Sequence, residues 1–184
     1  LYAKILQKKG AIVKGIDISE EAIRIAKKEN PEIEFKVGNA ENLPYKNSEF
    51  DIVISSLVLG HIENWEKVLS EVKRVLKKEG FFIFSIYNPI TEQLRKTKWF
   101  LKEFNQIKDY FKEVWRLAEW DPGIKIFHHH KTYGTIVKLL INNGFEIIAY
   151  EDCNPDKTAG ENFPKEYERT ISAPLFCVWK MRKK

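Results

Sequence analysis

Segments predicted to be strands alternate with segments predicted to be helices along the first half of this chain. The predicted strands, rich in β-branched and other apolar residues, lie at 11–16, 33–37, 50–55 and 81–87. The predicted helices, with apolar residues at helical spacing, lie at 1–9, 19–30 and 65–76. Such alternation favours a mostly parallel sheet with helices on both faces and right-handed connections. The sequence therefore predicts an α/β fold.

Residues typical of helix ends bound these segments. Ser19 can cap the second helix, and an Asn-Pro pair at 30–31 ends it. In the last third of the chain, Thr132 can cap a further helix. Two more strands are predicted at 145–150 and 175–180, so the α/β pattern resumes there.

Residues 91–127 interrupt the alternation. This stretch is dense in aromatic residues and holds an Asp-Pro-Gly turn at 121–123. The aromatic residues are Trp99, Phe100, Phe104, Tyr110, Phe111, Trp115 and Trp120. We expect a helical, aromatic-rich lid inserted after residue 90, lying over the carboxyl edge of the sheet, where its rings serve both as core and as pocket cover.

The length and composition of the chain indicate how many domains it forms. The 184 residues, 43% hydrophobic and 31% charged, suit one globular domain over 1–184, with a core of 1–90 and 128–184 around the insertion 91–127. No apolar run reaches the ~18 residues of a membrane span, and no signal peptide is visible. Cys153 and Cys177 fit a reducing interior, which predicts a cytoplasmic protein.

The net charge of +5 is spread rather than concentrated. Lysines alternate with glutamates along the chain, a composition typical of thermophile proteins and of a mixed-charge, solvated surface. A nucleic-acid face would need a stripe of basic residues on one predicted element, and the sequence has none, so a nucleic-acid partner is not favoured.

Polar residues follow three of the predicted strands. Open parallel sheets bind ligands at the carboxyl ends of their strands. Asp17 there can accept both hydroxyls of a ribose, or it can simply favour the helix that follows. Asn39 can pair with a base edge, or it can be a turn asparagine. Ser55 and Ser56 allow close approach of a ligand, or they merely end a strand.

Three runs taken together resemble one family. They are residues 15–19 (GIDIS), 38–44 (GNAENLP) and 50–62 (FDIVISSLVLGHI). In this order they are similar to class I S-adenosylmethionine-dependent methyltransferases, and most of all to the ubiquinone/menaquinone-biosynthesis-like group that acts on small molecules. The likeness extends through 75–83 and into 163–176. It implies a Rossmann-like fold with an antiparallel last strand.

The resemblance also implies a cofactor site for S-adenosylmethionine. The implied cofactor-binding residues are Asp17, Ile18, Asn39, Ala40, Ser55, Ser56 and Leu57. Asp17 would hold the ribose, Ile18 would pack on the adenine, and the 39–40 pair would read its edge. The serines and Leu57 would lie beside the methionine half. The family usually has aspartate where Asn39 stands, so one local charge is missing.

The acceptor side is implied less completely. His61 matches a histidine that the family often carries near the transferable methyl, and we take it as the candidate base. Gly60 stands where the preceding histidine usually is, so a two-histidine arrangement is not retained. Candidates for orienting the substrate in the pocket are Tyr87, Asn88, Trp99 and His130.

The family's glycine-rich turn, Gly-x-Gly-x-Gly after a first strand, would lie just before Leu1. We expect that strand and turn to precede this chain in the natural protein, because a sheet without its central strand exposes unpaired edges on both neighbours. The alternative is a degenerate domain.

A run of three histidines at 128–130 raises the question of a metal. Neighbouring residues in an extended segment point to opposite faces, so only His128 and His130 could share an ion. No acidic or cysteine partner stands at ligand spacing, and we predict no metal.

The expected activity is therefore methyl transfer from S-adenosylmethionine to a small-molecule acceptor. A nicotinamide dehydrogenase would need Gly-x-Gly-x-x-Gly instead of the family's turn, and the loop at Asn39 argues against it. A non-catalytic binding or regulatory domain and an RNA methyltransferase stay open as alternatives. The sequence makes no prediction of the acceptor or of the oligomeric state.

Overall fold

The computed structural model of the chain describes residues 2–99, 102–121 and 124–184. Its helices are α1 Tyr2–Lys8, α2 Glu20–Glu29, α3 Trp65–Val75, α4 Tyr133–Asn142, α5 Lys157–Asn162 and α6 Pro164–Thr170. Its strands are β1 Lys14–Asp17, β2 Glu34–Val37, β3 Phe50–Ser56, β4 Leu76–Tyr87, β5 Leu94–Trp99, β6 Lys102–Ile107, β7 Trp115–Asp121, β8 Ile124–His129, β9 Phe145–Asp152 and β10 Phe176–Lys183. Within these residues, no helix is both long and apolar enough to cross a bilayer.

The strands of the α/β core form two hydrogen-bonded sheets. β1 pairs with β2 in parallel, and a second sheet has the order β3-β4-β10-β9. β3 and β4 are parallel, whereas β10 is antiparallel to both of its neighbours. The mostly parallel sheet with an antiparallel last strand is thus confirmed.

A polar link joins the two sheets at the start of β1 and β3. Lys14 Nζ lies 2.8 Å from Glu49 Oε1, and the Tyr45 hydroxyl donates to the Gly15 carbonyl at 3.3 Å. Among the described residues, β1 pairs only with β2, and β3 only with β4. β1 and β3 are therefore edge strands held near one another by side chains rather than by backbone hydrogen bonds.

The hydrophobic core lies between the four-stranded sheet and the helices α3 and α4. Phe82 and Phe84 from β4 pack with ring centroids 5.1 Å apart, and Phe84 stacks on Trp179 of β10 at 6.0 Å. Leu69 from α3 and Leu140 from α4 are fully buried in the same cluster. Burial of this kind is the main favourable term in folding, so this side of the molecule carries most of its stability.

The helix ends follow the predicted signals. Ser19 accepts from the Ala22 amide at the start of α2, and Thr132 accepts from the Thr135 amide at the start of α4. Helix α2 ends at Glu29, immediately before the Asn-Pro pair. Gly144 follows α4 with φ +78°, a backbone conformation that residues other than glycine rarely adopt.

One face of β3 departs from prediction. The apolar run at 50–55 predicts a strand buried on both faces, but Ile52 is 50% exposed and Ile54 43% exposed. Val53, which points the other way, packs against the core. An edge strand has a neighbour on one side only, and α3 and α4 cover only one face of this sheet, so the other face stays open to solvent.

The insertion is built from β-hairpins, and its predicted helical character is wrong. β5 pairs with β6, and β7 pairs with β8, both antiparallel. Aromatic and β-branched residues favour strands, and Ile124, Ile126 and His128 alternate with Lys125 and Phe127 at the strand period of two. The proline and glycine of the predicted turn, and the Phe100 ring, lie outside the described residues.

Candidate functional site

The parallel pairing of β1 with β2 brings the ends of the two strands side by side. Asp17 is in register with Val37, and the Gly38 amide donates to the Asp17 carbonyl at 2.9 Å. Asn39 follows directly. The carboxylate after the first strand and the amide after the second thus meet at one edge of the sheet, as the rule for parallel strands predicts.

Asp17 uses one carboxylate oxygen locally and keeps the other accessible. Oδ1 accepts from the Ser19 amide at 2.8 Å, an interaction that steadies the turn into α2. Among the described residues, Oδ2 has no recorded partner, and the side chain is exposed. The alternative role, support of the helix start, is therefore also present, and one acceptor oxygen is left for a ligand hydroxyl.

Asn39 combines the same two roles. Its Oδ1 accepts from the Glu41 amide at 2.9 Å, which closes a tight turn. An asparagine amide also carries two N–H donors, and Asn39 is exposed to solvent. Ile18 is 73% exposed beside this turn, so its apolar surface is free to contact a flat ring.

Two glycines allow this close approach of β1 to its surroundings. A Cβ on Gly15 would stand 2.4 Å from the Phe35 ring, and one on Gly38 would stand 2.8 Å from Ile16 Cδ1. Either contact would force the neighbouring side chain to move, and the cost is larger at Gly15, where a whole aromatic ring is in the way, than at Gly38, where the tip of Ile16 can shift.

The end of β3 has an unusual backbone conformation. Leu57 adopts φ +59°, the left-handed region that costs a non-glycine residue about 1–3 kcal/mol. Its amide donates to the Ser85 carbonyl at 3.0 Å, and the Ser85 hydroxyl donates to Ser56 at 3.4 Å. This conformation turns the chain away from the four-stranded sheet after Ser55 and Ser56, at the carboxyl end of β3.

A narrow cavity of about 20 Å³, room for about one water molecule, opens beyond the ends of β3 and β4. Its lining residues are Gly60, Trp65, Ile86, Tyr87, Pro89, Glu92, His128, His129, Lys131 and Ile136. The walls therefore combine two aromatic rings with four ionisable side chains.

His61 stands next to this cavity in a short 3₁₀ helix, Leu59–His61. Its Nδ1 lies 2.7 Å from the Phe127 carbonyl oxygen, which can only accept. Nδ1 therefore carries the proton, and Nε2 of the neutral ring is the acceptor nitrogen. The insertion thus orients His61 with its basic nitrogen available.

Glu92 joins two histidines behind the cavity. His128 Nε2 lies 3.2 Å from Glu92 Oε2, and His130 Nδ1 contacts Glu92 Oε1. The other His130 nitrogen lies 2.7 Å from the Tyr110 carbonyl, which requires an N–H there. Both carboxylate oxygens of Glu92 therefore face imidazoles, and Oε1 also accepts from the Gln93 side-chain amide at 3.0 Å.

The remaining predicted pocket residues lie in different places. Tyr87 lines the cavity, with its ring 5.4 Å from that of His128. Asn88 is buried and binds Asp152 and the amides of Ile90 and Thr91, so its polar atoms serve the fold.

Trp99 and His130 are not among the described residues that line the cavity. The backbone of Trp99 belongs to β5, and its side chain lies outside the described residues. His130 is 1% exposed and held by Glu92 and Tyr110, while His128 and His129 supply the histidine wall.

Sequence reasoning missed several cavity residues. Glu92 lies in a short 3₁₀ turn just before the insertion, and Trp65 begins α3, where its ring counts as core. Lys131 and His129 belong to the His-His-His-Lys run at the end of β8. That run was the available signal, since it clusters ionisable groups where the insertion returns to the core.

Comparison with known proteins points to one family. A family model described as a methyltransferase domain matches residues 1–84. The crystal structure of an S-adenosylmethionine-dependent methyltransferase from Mesorhizobium loti superposes with a TM-score of 0.83 at 27% identity, and the match covers 99% of this chain and 85% of that one.

Relatives in sequence cover less of their own length. The chain is 36% identical over 146 residues to an uncharacterized protein of Methanocaldococcus jannaschii, which is 73% of this chain and 54% of that protein. It is 26% identical over 156 residues to a ubiquinone/menaquinone biosynthesis C-methyltransferase of Hydrogenovibrio crunogenus, covering 81% and 61% respectively. The chain thus spans about half the length of the first of these relatives.

Proposed function

Because this chain belongs to the class I S-adenosylmethionine-dependent methyltransferases, we propose that it transfers a methyl group from S-adenosylmethionine to a small-molecule acceptor. The observation that carries the proposal is the meeting of Asp17 and Asn39 at the paired ends of β1 and β2. The C-methyltransferase relative of quinone biosynthesis supports an acceptor of small-molecule type.

The residues present fit the nucleoside half of the cofactor. Asp17 Oδ2 is free to accept a ribose hydroxyl, the exposed Ile18 side chain offers an apolar surface to adenine, and Asn39 offers two N–H donors. Ala40 would add its backbone groups at the base edge. Ser55, Ser56 and Leu57 lie at the neighbouring strand end, where the methionine half would extend.

Methyl transfer requires alignment of the acceptor atom with the methyl group more than it requires activation of either. When bound, the cofactor supplies a methyl group on a positively charged sulfur. The chain's own residues would position the acceptor atom in line with it at ~3–3.5 Å and keep water out. For a hydroxyl or protonated amine acceptor, His61 Nε2 takes the proton, since Nδ1 is already committed to the Phe127 carbonyl.

The hairpin insertion completes this arrangement in our proposal. It covers residues 91–127 of a single domain over 1–184, and it supplies the Phe127 carbonyl that orients His61. Tyr87, which lines the cavity, would contact the acceptor. The reaction would take place in the cytoplasm, consistent with two free cysteines.

Calorimetry with S-adenosylhomocysteine tests the proposal on the full-length protein. We expect saturable binding that Asp17→Asn weakens by about 10- to 100-fold, because a charge-assisted hydrogen bond contributes ~1.5–3 kcal/mol. Glu20→Gln is the matched control, an exposed acid at the start of α2, and should bind as the parent does. A folded parent chain that binds no S-adenosylhomocysteine, or an Asp17→Asn chain with unchanged affinity, would refute it.

A further inference from the structure

The candidate base His61 is exposed, so burial does not decide which of its nitrogens carries the proton. A neutral imidazole in water holds its proton mostly on Nε2, and Nε2 is the nitrogen that must accept a proton in the proposed reaction. The Phe127 carbonyl, 2.7 Å from Nδ1, favours the other tautomer because it can only accept. The protonation pattern of His61 therefore depends on where β8 holds this one carbonyl.

Neither its own side chain nor its sheet holds Phe127 against the core. The Phe127 ring is 62% exposed, so it adds little packing. Among the described residues, β8 pairs only with β7, which belongs to the same insertion. The position of the Phe127 carbonyl relative to the short 3₁₀ helix that carries His61 must therefore be set by side chains that join β8 to the core.

Glu92 supplies two such contacts from the core side. Its carboxylate is 8% exposed, and Oε2 lies 3.2 Å from Nε2 of His128, the residue directly after Phe127. Oε1 contacts Nδ1 of His130. Alternate residues of an extended chain point to the same side, so both imidazoles reach one carboxylate. Glu92 thus holds the chain at two points within three residues of the Phe127 carbonyl.

The backbone that carries Glu92 is itself fixed to the four-stranded sheet. The Glu92 amide donates to the carbonyl of Asn88, the residue directly after β4, at 3.0 Å. Asn88 is 4% exposed, and its side-chain amide donates to Asp152 of β9 at 2.9 Å. A continuous set of contacts therefore runs from the sheet through Glu92 to β8, and from the Phe127 carbonyl to His61.

The other carboxylates near the end of β8 fix it less firmly. Glu63 is 68% exposed and lies 3.8 Å from His129 Nε2, and exposed pairs of this kind contribute little. Glu113 binds Thr132, which lies beyond the end of β8. Loss of Glu92 would leave two buried imidazoles without their carboxylate, which is costly. Glu92 is therefore the strongest tie between β8 and the end of β4.

We propose that Glu92 is a positioning residue of the methyl-transfer site, and that it fixes the tautomer of His61 through the position of the Phe127 carbonyl. Glu92 acts through β8 and takes no proton from the acceptor. The importance of this tautomer for catalysis rests on the proposed function, whereas the link from Glu92 to His61 does not. The link can therefore be measured without an acceptor.

The ¹⁵N resonances of the histidine side chains test this link, because protonated and unprotonated imidazole nitrogens differ widely in chemical shift. Spectra of the full-length protein are recorded at about pH 8, where an exposed imidazole is neutral. The His61 signals are assigned by their loss in His61→Asn. We expect the parent to carry the His61 proton mostly on Nδ1, and Glu92→Ala to carry it mostly on Nε2.

Three further variants separate positioning from a loss of stability. Glu92→Gln keeps an acceptor and a donor for the two imidazoles and should retain most of the parent's tautomer. Asp109→Asn removes a carboxylate of the insertion that binds Lys112 in the loop after β6, and it should leave the tautomer unchanged. Leu140→Ala destabilises the core through α4, and its folded molecules should also keep the parent's tautomer.

A second variant decides the question if Glu92→Ala proves unfolded by circular dichroism. His130→Phe removes the other partner of the same contact, keeps a ring in its place and should move the His61 proton to Nε2 as well. The proposal is overturned by a parent that carries the proton on Nε2 or by a folded Glu92→Ala or His130→Phe with the parent's tautomer. An equal shift in Asp109→Asn or Leu140→Ala would also overturn it.

The same samples separate this proposal from the proposed function. S-adenosylhomocysteine binding is proposed to depend on Asp17, on the other side of β3, and it is measured by calorimetry beside the spectra. A protein that shows the tautomer shift in Glu92→Ala but binds no S-adenosylhomocysteine would refute methyl transfer and leave the link from Glu92 to His61 standing. The converse result would refute the link alone.

Discussion

The two sides of β3 differ in what holds them together. On one side, β4, β10 and β9 pack against α3 and α4 through a continuous buried cluster of large apolar residues. On the other, β1 and β2 form a two-stranded sheet whose β2 residues are mostly exposed. The narrow cavity lies on the packed side, and Asp17 and Asn39 lie on the open side.

This difference indicates how the two half-sites are built. The packed side positions its polar groups by burial, so that Glu92, His130 and Lys131 have few alternatives. The open side positions its groups by local hydrogen bonds, such as Ser19 to Asp17 and Glu41 to Asn39. The positions of Asp17 and Asn39 therefore depend on neighbouring residues in the sequence and not on the distant core.

The largest expected loss of stability comes from a substitution on the packed side of β3. Phe84→Ala removes a ring that is 1% exposed and contacts Trp65 and Trp179, and it should lower the free energy of unfolding by ~3–5 kcal/mol. Ile52→Ala, on the exposed face of β3, should change it by less than ~1 kcal/mol. Urea titrations of both variants measure the contrast. Comparable losses would mean that the open face of β3 is packed in solution.

A smaller effect should follow from cutting the tie between the two sides. Glu71 on α3 accepts from the Leu43 amide at 2.7 Å and binds Arg74, which in turn donates to the Leu43 and Tyr45 carbonyls of the loop after β2. Glu71→Gln weakens this clamp and should cost ~1–3 kcal/mol in the free energy of unfolding, measured by urea titration at pH 7.

The clamp also predicts a pH dependence. The hydrogen bonds from Arg74 hold the pKa of Glu71 below its usual value. Glu71 is therefore ionised more readily in the folded chain, and its stabilisation is complete above its unfolded pKa and lost as pH falls through the lower folded pKa. Glu71→Gln should flatten the stability profile in that acid window. An unchanged slope would show that Glu71 titrates alike in both states.

The smallest expected contrast compares two helix caps. Thr132 caps α4 on the packed side and is also bound by Glu113, whereas Ser19 caps the exposed α2. Thr132→Ala should cost up to ~2 kcal/mol and Ser19→Ala ~1 kcal/mol or less. Thermal melts of both variants measure the two losses of stability, and Thr135→Ala is the control for the contact between Thr132 and Thr135. A costlier Ser19→Ala would contradict the assignment of stability to the packed side.

The elements of the core were predictable because each carries its own local signal. The apolar run of β4, the cap at Thr132 and the Asn-Pro stop after α2 all lie within one element or beside it. The exposure of Ile52 was not predictable in this way, since it depends on which strands and helices flank β3. The lid was predicted wrongly because its aromatic residues suit a helix face and a hairpin equally well by composition, and only the alternation in β8 favours strands.

The site residues likewise include some that the sequence could predict and some that it could not. Asp17 and Asn39 follow from the rule that parallel strand ends meet at one edge, and the structure brings them together. Glu92 and Lys131 are about forty residues apart in sequence and meet only because β8 returns to the sheet beside the turn after β4. No spacing in the sequence encodes that meeting.

The edge of β3 has a practical consequence for handling the chain. A strand with open backbone groups and two isoleucines facing water is a template for pairing with another molecule. Asp51, bound to Lys77 of β4, places a charge at the start of β3 but leaves the rest of the strand without one. Pairing of two chains through this edge is therefore the first route of association to test at high concentration.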